Sequence, residues 1–114
     1  MSDDRWPADL MRAVLPLAVL RTVADGPTYG YVIGKRLEEA GLGRIKGGTL
    51  YPILGRLEAE GLVTSQWREG DGGPGRKYFA ITPAGTTALD ERVSRWADFS
   101  RLTTELLNGR EAAR

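Results

Sequence analysis

The chain has 114 residues, enough for one domain with a modest core, and its 41% hydrophobic and 27% charged content is that of an ordinary globular protein. A net charge of +1 means that any electrostatic footprint for a nucleic acid must be local. Neither cysteine nor histidine occurs, which excludes disulfides, thiol catalysis, the usual zinc sites and the usual nucleophile–base pairs. No apolar run approaches the roughly 20 residues of a bilayer span. The stretch from Met1 to Pro7 lacks the basic-then-apolar layout of a signal peptide. A cytoplasmic protein with no cofactor, metal or membrane partner is expected, and an enzyme is not.

Residues 1–8 are polar, contain Pro7 and read as a loose arm unless Trp6 docks. Asp9 is placed to cap a first helix carrying Leu10, Met11, Val14, Leu15, Leu17, Ala18, Leu20 and Val23. That helix is apolar over more than half its circumference and needs cover on two sides. Pro16 in its middle either kinks it or starts a second helix; one kinked helix is the reading preferred here. Asp25-Gly26-Pro27-Thr28 is a turn, and a second helix follows from about Tyr29 to Ala40 with Tyr29, Val32, Ile33 and Leu37 inward. Gly41-Leu-Gly43 closes it.

The next helix opens after Lys46-Gly-Gly. Thr49 is the expected N-cap, Pro52 falls in the first turn, Leu50, Ile53, Leu54 and Leu57 form the apolar stripe, and Gly61 ends the element. Its other face offers Tyr51, Arg56 and backbone amides, with Lys46 just upstream. Two short helices joined by a brief loop, the second with a donor-rich start, form a helix-turn-helix. The periodicity then changes to two. Residues 62–69 and 76–82 read as strands around the flexible tip Gly70-Asp-Gly-Gly-Pro-Gly75, a β-hairpin with Arg68, Arg76 and Lys77 at its shoulders. Thr82-Pro83 starts a last helix running to Leu107, with Leu89, Val93, Trp96, Phe99, Leu102, Leu106 and Leu107 at spacings of three and four. This stripe is too long for so small a core, and a symmetric homodimer is the commonest way to cover one.

The expected fold is therefore mainly α with a small β-hairpin: a winged helix-turn-helix with an N-terminal helix and a long C-terminal helix that dimerise. The expected divisions are an arm over 1–8, the DNA-binding domain over 9–82, the dimerisation helix over 83–107 and a frayed tail over 108–114. Lys46, Thr49, Tyr51, Arg56, Arg76 and Lys77 are the candidate contacts to double-stranded DNA, with Arg68 a weaker one. Tyr29 and Tyr31 read as structural, and Glu58 and Glu60 as solvated charges. A winged helix serving only as a protein–protein module is the alternative function.

Gly26-Pro27-Thr28-Tyr29-Gly30-Tyr31, Gly48-Thr49-Leu50-Tyr51-Pro52, Arg56-Leu57-Glu58-Ala59-Glu60-Gly61-Leu62, Gly75-Arg76-Lys77-Tyr78 and Thr82-Pro83-Ala84-Gly85 stand in the order found in the PadR family. The chain resembles that family of transcriptional regulators from about Leu10 to Leu107, and within it the smaller subgroup with one helix after the wing. The resemblance implies a dimer that binds operator DNA, most often as a repressor, with its last helix packed on the partner's first. It also implies sensing of phenolic or drug-like molecules. An aromatic-lined gap at the dimer interface, flanked by Leu15, Val19, Val93, Trp96 and Phe99, is the expected place for such a small aromatic effector.

Overall fold

The computed structural model describes residues 6–70 and 73–109. Of the expected loose arm over 1–8, flexible tip over 70–75 and frayed tail over 108–114, positions 1–5, 71–72 and 110–114 lie outside these residues; Ala8 already belongs to a helix, and Gly70 and residues 73–75 are strand, not a flexible tip. Four helices and a three-stranded sheet follow in the order α1 (Ala8–Val23), β1 (Thr28–Tyr29), α2 (Gly30–Leu37), α3 (Gly47–Ala59), β2 (Val63–Gly70), β3 (Gly73–Ile81) and α4 (Pro83–Leu107). A wide turn of π-helix, Glu38–Leu42, follows α2 and is unwound at Gly41, where φ is +105°.

α1 is one helix through Pro16. The proline removes only the bond to the Arg12 carbonyl, on a residue at the surface. Its cap differs from expectation. The helix begins at Ala8 with Pro7 at the cap position and no side-chain cap bond, so Asp9 lies inside the first turn, where its carboxylate pairs with Arg12 at 2.8 Å. Leu15, Val19, Leu20 and Val23 bury against α2, α3, β3 and α4. Leu10 stays exposed, and Val14 and Leu17 are only half-buried.

The helical stretch expected from Tyr29 begins one residue later. Thr28 and Tyr29 instead pair antiparallel with Phe79 and Tyr78, adding an unforeseen strand, so the sheet order is β1-β3-β2. Two residues are too few to show a period of two. The hairpin of β2 and β3 is antiparallel from Val63↔Ile81 to Arg68↔Arg76 and bulges before Gly70. It is tied to α3 through Ser65, whose hydroxyl donates to Glu58 Oε2 at 2.6 Å. Glu58 is thus a fastening and not the solvated charge expected, while Glu60 is half-exposed and approaches Arg92 at 3.9 Å.

α4 starts as its sequence signal demands. Thr82 Oγ1 accepts from the Gly85 amide at 2.9 Å and donates to the Gly61 carbonyl at 2.7 Å, so one hydroxyl caps the helix and pins it to the end of α3. Gly85 and Leu89 are the residues of α4 that bury; from Val93 onward the apolar stripe is open. At about 1.5 Å per residue the helix is some 37 Å long. The radius of gyration is 16.3 Å, against about 13 Å for a compact chain of roughly this size, because α4 projects from the body.

Two predictions follow from these joints. A methyl group at Gly85 would sit 2.1 Å from the Leu62 carbonyl oxygen and 2.7 Å from Ile81 Cγ1. Gly85→Ala should therefore lower the unfolding free energy in urea by about 1–3 kcal/mol, whereas the ordinary effect of alanine in a helix is a gain. Asp25 receives hydrogen bonds from Arg36 and from Arg21, the latter at 2.7 Å, and these two guanidiniums hold its carboxyl below its ordinary value of 3.8. A lowered folded-state pKa stabilises above the ordinary value and is lost as pH falls through the folded one. Asp25→Asn should accordingly lower the urea midpoint at pH 7 and converge with the native protein in strong acid; an unchanged gap at both ends would remove this joint from the account.

Candidate nucleic-acid interface

α3 enters from an extended Lys46, whose carbonyl accepts the amides of Thr49 and Leu50 at 2.9 Å. The cap is thus made by backbone, and Thr49 stands in the first turn with its hydroxyl exposed instead of capping. Because the helix starts at Gly47, Pro52 lies one turn further in than expected and leaves the Gly48 carbonyl without its helical partner.

The inward stripe is Leu50, Ile53, Leu54 and Leu57. Directly opposite, Gly48, Pro52, Gly55 and Ala59 follow at spacings of four, three and four, and all are exposed. The outermost edge of α3 therefore carries almost no side chain. A Cβ added at Gly48 or Gly55 meets nothing within 4 Å, so packing inside the chain does not demand glycine at either place. A bare edge lets helix backbone come close to a partner surface, while the functional side chains stand on its flanks.

Those flanks differ. Thr49 and Arg56, seven residues apart, line a cleft towards α1 together with Lys46. Tyr51 stands on the other flank, towards α2. It is 51% exposed, but its hydroxyl rests so close to Gly30 that a Cβ there would lie 2.2 Å away. Its tip is lodged against the start of α2. Three of the four α3-region candidates are thus gathered on one side, and Tyr51 is separate.

The wing separates its two predicted cations. Arg76 and Lys77 are neighbours on a strand and point to opposite faces. Arg76 lies over the Tyr29 ring at 4.8 Å, Arg68 lies over the Tyr78 ring at 4.6 Å, and the two rings pack 5.2 Å apart. Arg68 and Arg76 face each other directly across the hairpin. Like charges so placed repel, and a ring under each guanidinium offsets that by about 0.5–1 kcal/mol per contact. The result is a paired guanidinium platform on aromatic supports. Sequence reasoning ranked Arg68 low and Tyr29 as merely structural; the period of two puts Arg68 and Arg76 on one face, but Tyr29 joins them only through β1. Lys77 lies half-buried on the other face, 5.8 Å from the Phe79 ring.

The candidates for the effector gap also divide. Val19 is fully buried inside the chain's own core, and Leu15, 4% exposed, reaches the surface only where it lines the cleft towards α3. The outward face of α1 carries Leu10 and the half-buried Val14, with Leu17 partly packed on the core. Val93, Trp96 and Phe99 are exposed, with the Trp96 and Phe99 rings 6.3 Å apart. Among the described residues no cluster of acidic groups could hold a metal ion, and no helix is long and apolar enough to cross a membrane.

A helix-turn-helix followed by an arginine-bearing hairpin defines a winged-helix regulator that binds DNA. Relatives agree. The Transcriptional regulator Rv3488 of Mycobacterium tuberculosis is 39% identical over 101 residues, 89% of this chain and 90% of that protein. The crystal structure of a PadR family transcriptional regulator from Eggerthella lenta superposes with a TM-score of 0.78 at 35% identity, covering 87% of this chain and 86% of that one. A PadR-like transcriptional regulator from Bacillus cereus gives 0.77 at 29% identity, over 88% and 97%. The profile of the Transcriptional regulator PadR-like family matches residues 19–91. The chain belongs to the PadR-like family of transcriptional regulators.

The bare edge of α3 gives a prediction that separates binding from folding. Gly55→Ala should raise the unfolding free energy by about 0.5–1 kcal/mol, as alanine does at an exposed helical site, while weakening DNA binding by crowding the closest approach. Urea unfolding and fluorescence anisotropy on one sample check both; unchanged DNA affinity would show that this edge is not the approach surface.

Proposed function

We propose that the chain is a dimeric repressor. In this reading, α3 and the wing of each copy hold double-stranded operator DNA. A small aromatic or drug-like effector beside Val93, Trp96 and Phe99 relieves the repression. The observation that carries the DNA reading is the bare edge of α3 flanked by Lys46, Thr49 and Arg56. Cations on the flank and the Arg68–Arg76 platform supply phosphate contacts and hence affinity, while the seated helix selects sequence. Tyr51 contributes through its ring, and Lys77 from the opposite face of the wing.

Two copies are proposed because the stripe of α4 needs cover, and the outward face of α1 offers a matching strip. Two-fold symmetry then makes the preferred site a pseudo-palindrome with half-sites about one helical turn apart. An effector wedged between Trp96 and Phe99 of two copies changes DNA affinity only by favouring one spacing of the wings over another. The family supports repression as the sense of the control.

Fluorescence anisotropy with the duplex immediately upstream of the chain's own gene, titrated at several salt concentrations beside a scrambled duplex, tests this reading. The expected result is a preference of ~10³ or more for the upstream duplex. Arg76→Ala should then lower the salt slope by about one unit. Absence of binding to any duplex would favour a wing that meets an acidic protein partner, and would defeat the proposal.

A further inference from the structure

We propose that Trp67 is a DNA contact of a kind that the cations do not supply. Its indole packs on a deoxyribose of the strand that walls the groove occupied by α3, and its N–H donates to a phosphate of that strand. The inference rests on the DNA reading above and deepens it. It starts from the pleat of β2. Side chains alternate along a strand, so Trp67 shares a face with Val63 and Ser65, and Lys77 stands directly opposite it on β3. Val63 is buried in the core and the Ser65 hydroxyl donates to Glu58 of α3, so this is the face of the hairpin that looks towards α3. Trp67 lies about 7 Å further along it. The core has ended by then, and the side chain is 68% exposed.

The surroundings of the ring select its partner. Among the described residues the Trp67 N–H has no hydrogen-bond partner, whereas that of Trp6 donates to the Gly41 carbonyl at 2.8 Å. The six-membered ring lies beside Gly75, where an added Cβ would stand 3.5 Å from Trp67 Cε3. A backbone without a side chain thus borders the ring and does not hide it. The described residues of β2 and β3 carry Arg68, Arg76 and Lys77, against Glu69 as their one carboxylate. An open apolar body with an unused donor, set among surplus cations, fits a surface that is apolar at one point and anionic at the next. A sugar–phosphate strand has that alternation. A purely apolar protein face would leave both the donor and the cations unanswered.

Position agrees with chemistry. Tyr51 and Glu58, seven residues apart, share one flank of α3, next to the bare edge of Gly48, Pro52, Gly55 and Ala59. The wall of the hairpin that meets Glu58 therefore stands beside that edge, and Trp67 extends the wall outward. A duplex seated on the edge would run along this wall with a sugar–phosphate strand against it. Arginine and lysine contacts release counterions and so set the salt dependence of binding. An indole packed on a sugar releases none, and its N–H carries no charge, so its contribution is the same at every salt concentration.

Fluorescence anisotropy with the upstream and the scrambled duplex, each at several salt concentrations, tests the contact in Trp67→Ala and Trp67→Phe. Trp67→Ala should weaken both duplexes by a similar factor, roughly tenfold, near the lower end for truncating an aromatic stacked on a nucleic acid. Its salt slope should equal that of the native protein. Trp67→Phe keeps an apolar ring without the donor and should fall between the two. Acrylamide quenching gives a second reading that needs no alanine variant: duplex should shield part of the native tryptophan emission, and that part should be missing in Trp67→Phe. Unchanged affinity in Trp67→Ala, a lowered salt slope, a loss confined to the upstream duplex, or shielding that persists in Trp67→Phe would overturn the contact. So would sedimentation of Trp67→Ala at the single-chain mass where the native protein pairs, which would assign the indole to a second copy. A native protein that binds neither duplex would sink the DNA reading itself, and the contact with it.

Discussion

The constraint on which the rest depends is the cover of α4. Its first two turns are held by the Thr82 hydroxyl, by Gly85 against the Leu62 carbonyl and by Leu89 in the core. Beyond them Val93, Trp96, Phe99, Leu102, Leu106 and Leu107 stand open, the last two 71% and 78% exposed. Burying such side chains is worth about 1.5–3 kcal/mol each, so the stripe of one copy represents on the order of 10 kcal/mol in water. Two copies that cover each other gain about twice that, against association costs of about 4–15 kcal/mol. The balance favours pairing, and pairing would fix the distance between two recognition helices.

The same logic of cover explains why the DNA-facing parts look as they do. The core holds α3 by its inner stripe alone, which leaves the outer edge free to be bare. The wing holds its arginines on tyrosine rings, so in the proposed complex they would meet a phosphate already positioned. Gly30 is required so that Tyr51 can lie against α2, and this in turn keeps the Tyr51 hydroxyl away from the outer edge. In the proposed complex, affinity and fit would be distributed between flanks and edge, with few long side chains committed to bases.

Much of this was legible in the residues. Thr82-Pro83 is a local signal, since a hydroxyl and a proline determine a helix start without outside help, and α4 spans Pro83–Leu107 as that signal implies. The helix-turn-helix and hairpin were legible because their periods and glycine punctuation are local too. What escaped depended on tertiary choice. α1 is apolar over so much of its surface that its sequence does not say which strip faces in; packing chose Leu15 and Val19 for the core and left Leu10 and Val14 outward. Thr49 and Asp9 resemble caps, but in each case the helix had already begun before them, and neither side chain caps it. The cluster of Arg68, Arg76, Tyr29 and Tyr78 joins residues up to 49 positions apart in a chain of 114, and only the pairing of β1 with β3 reveals it.

The measurement that tests the account most directly is sedimentation equilibrium of the free protein at micromolar concentration. Cover of α4 by a second copy predicts the mass of two 12.5 kDa chains, without DNA and without effector. A single-chain mass across that range would contradict it, because the stripe of α4 would then stand in water unaided and nothing would set the spacing of two recognition helices.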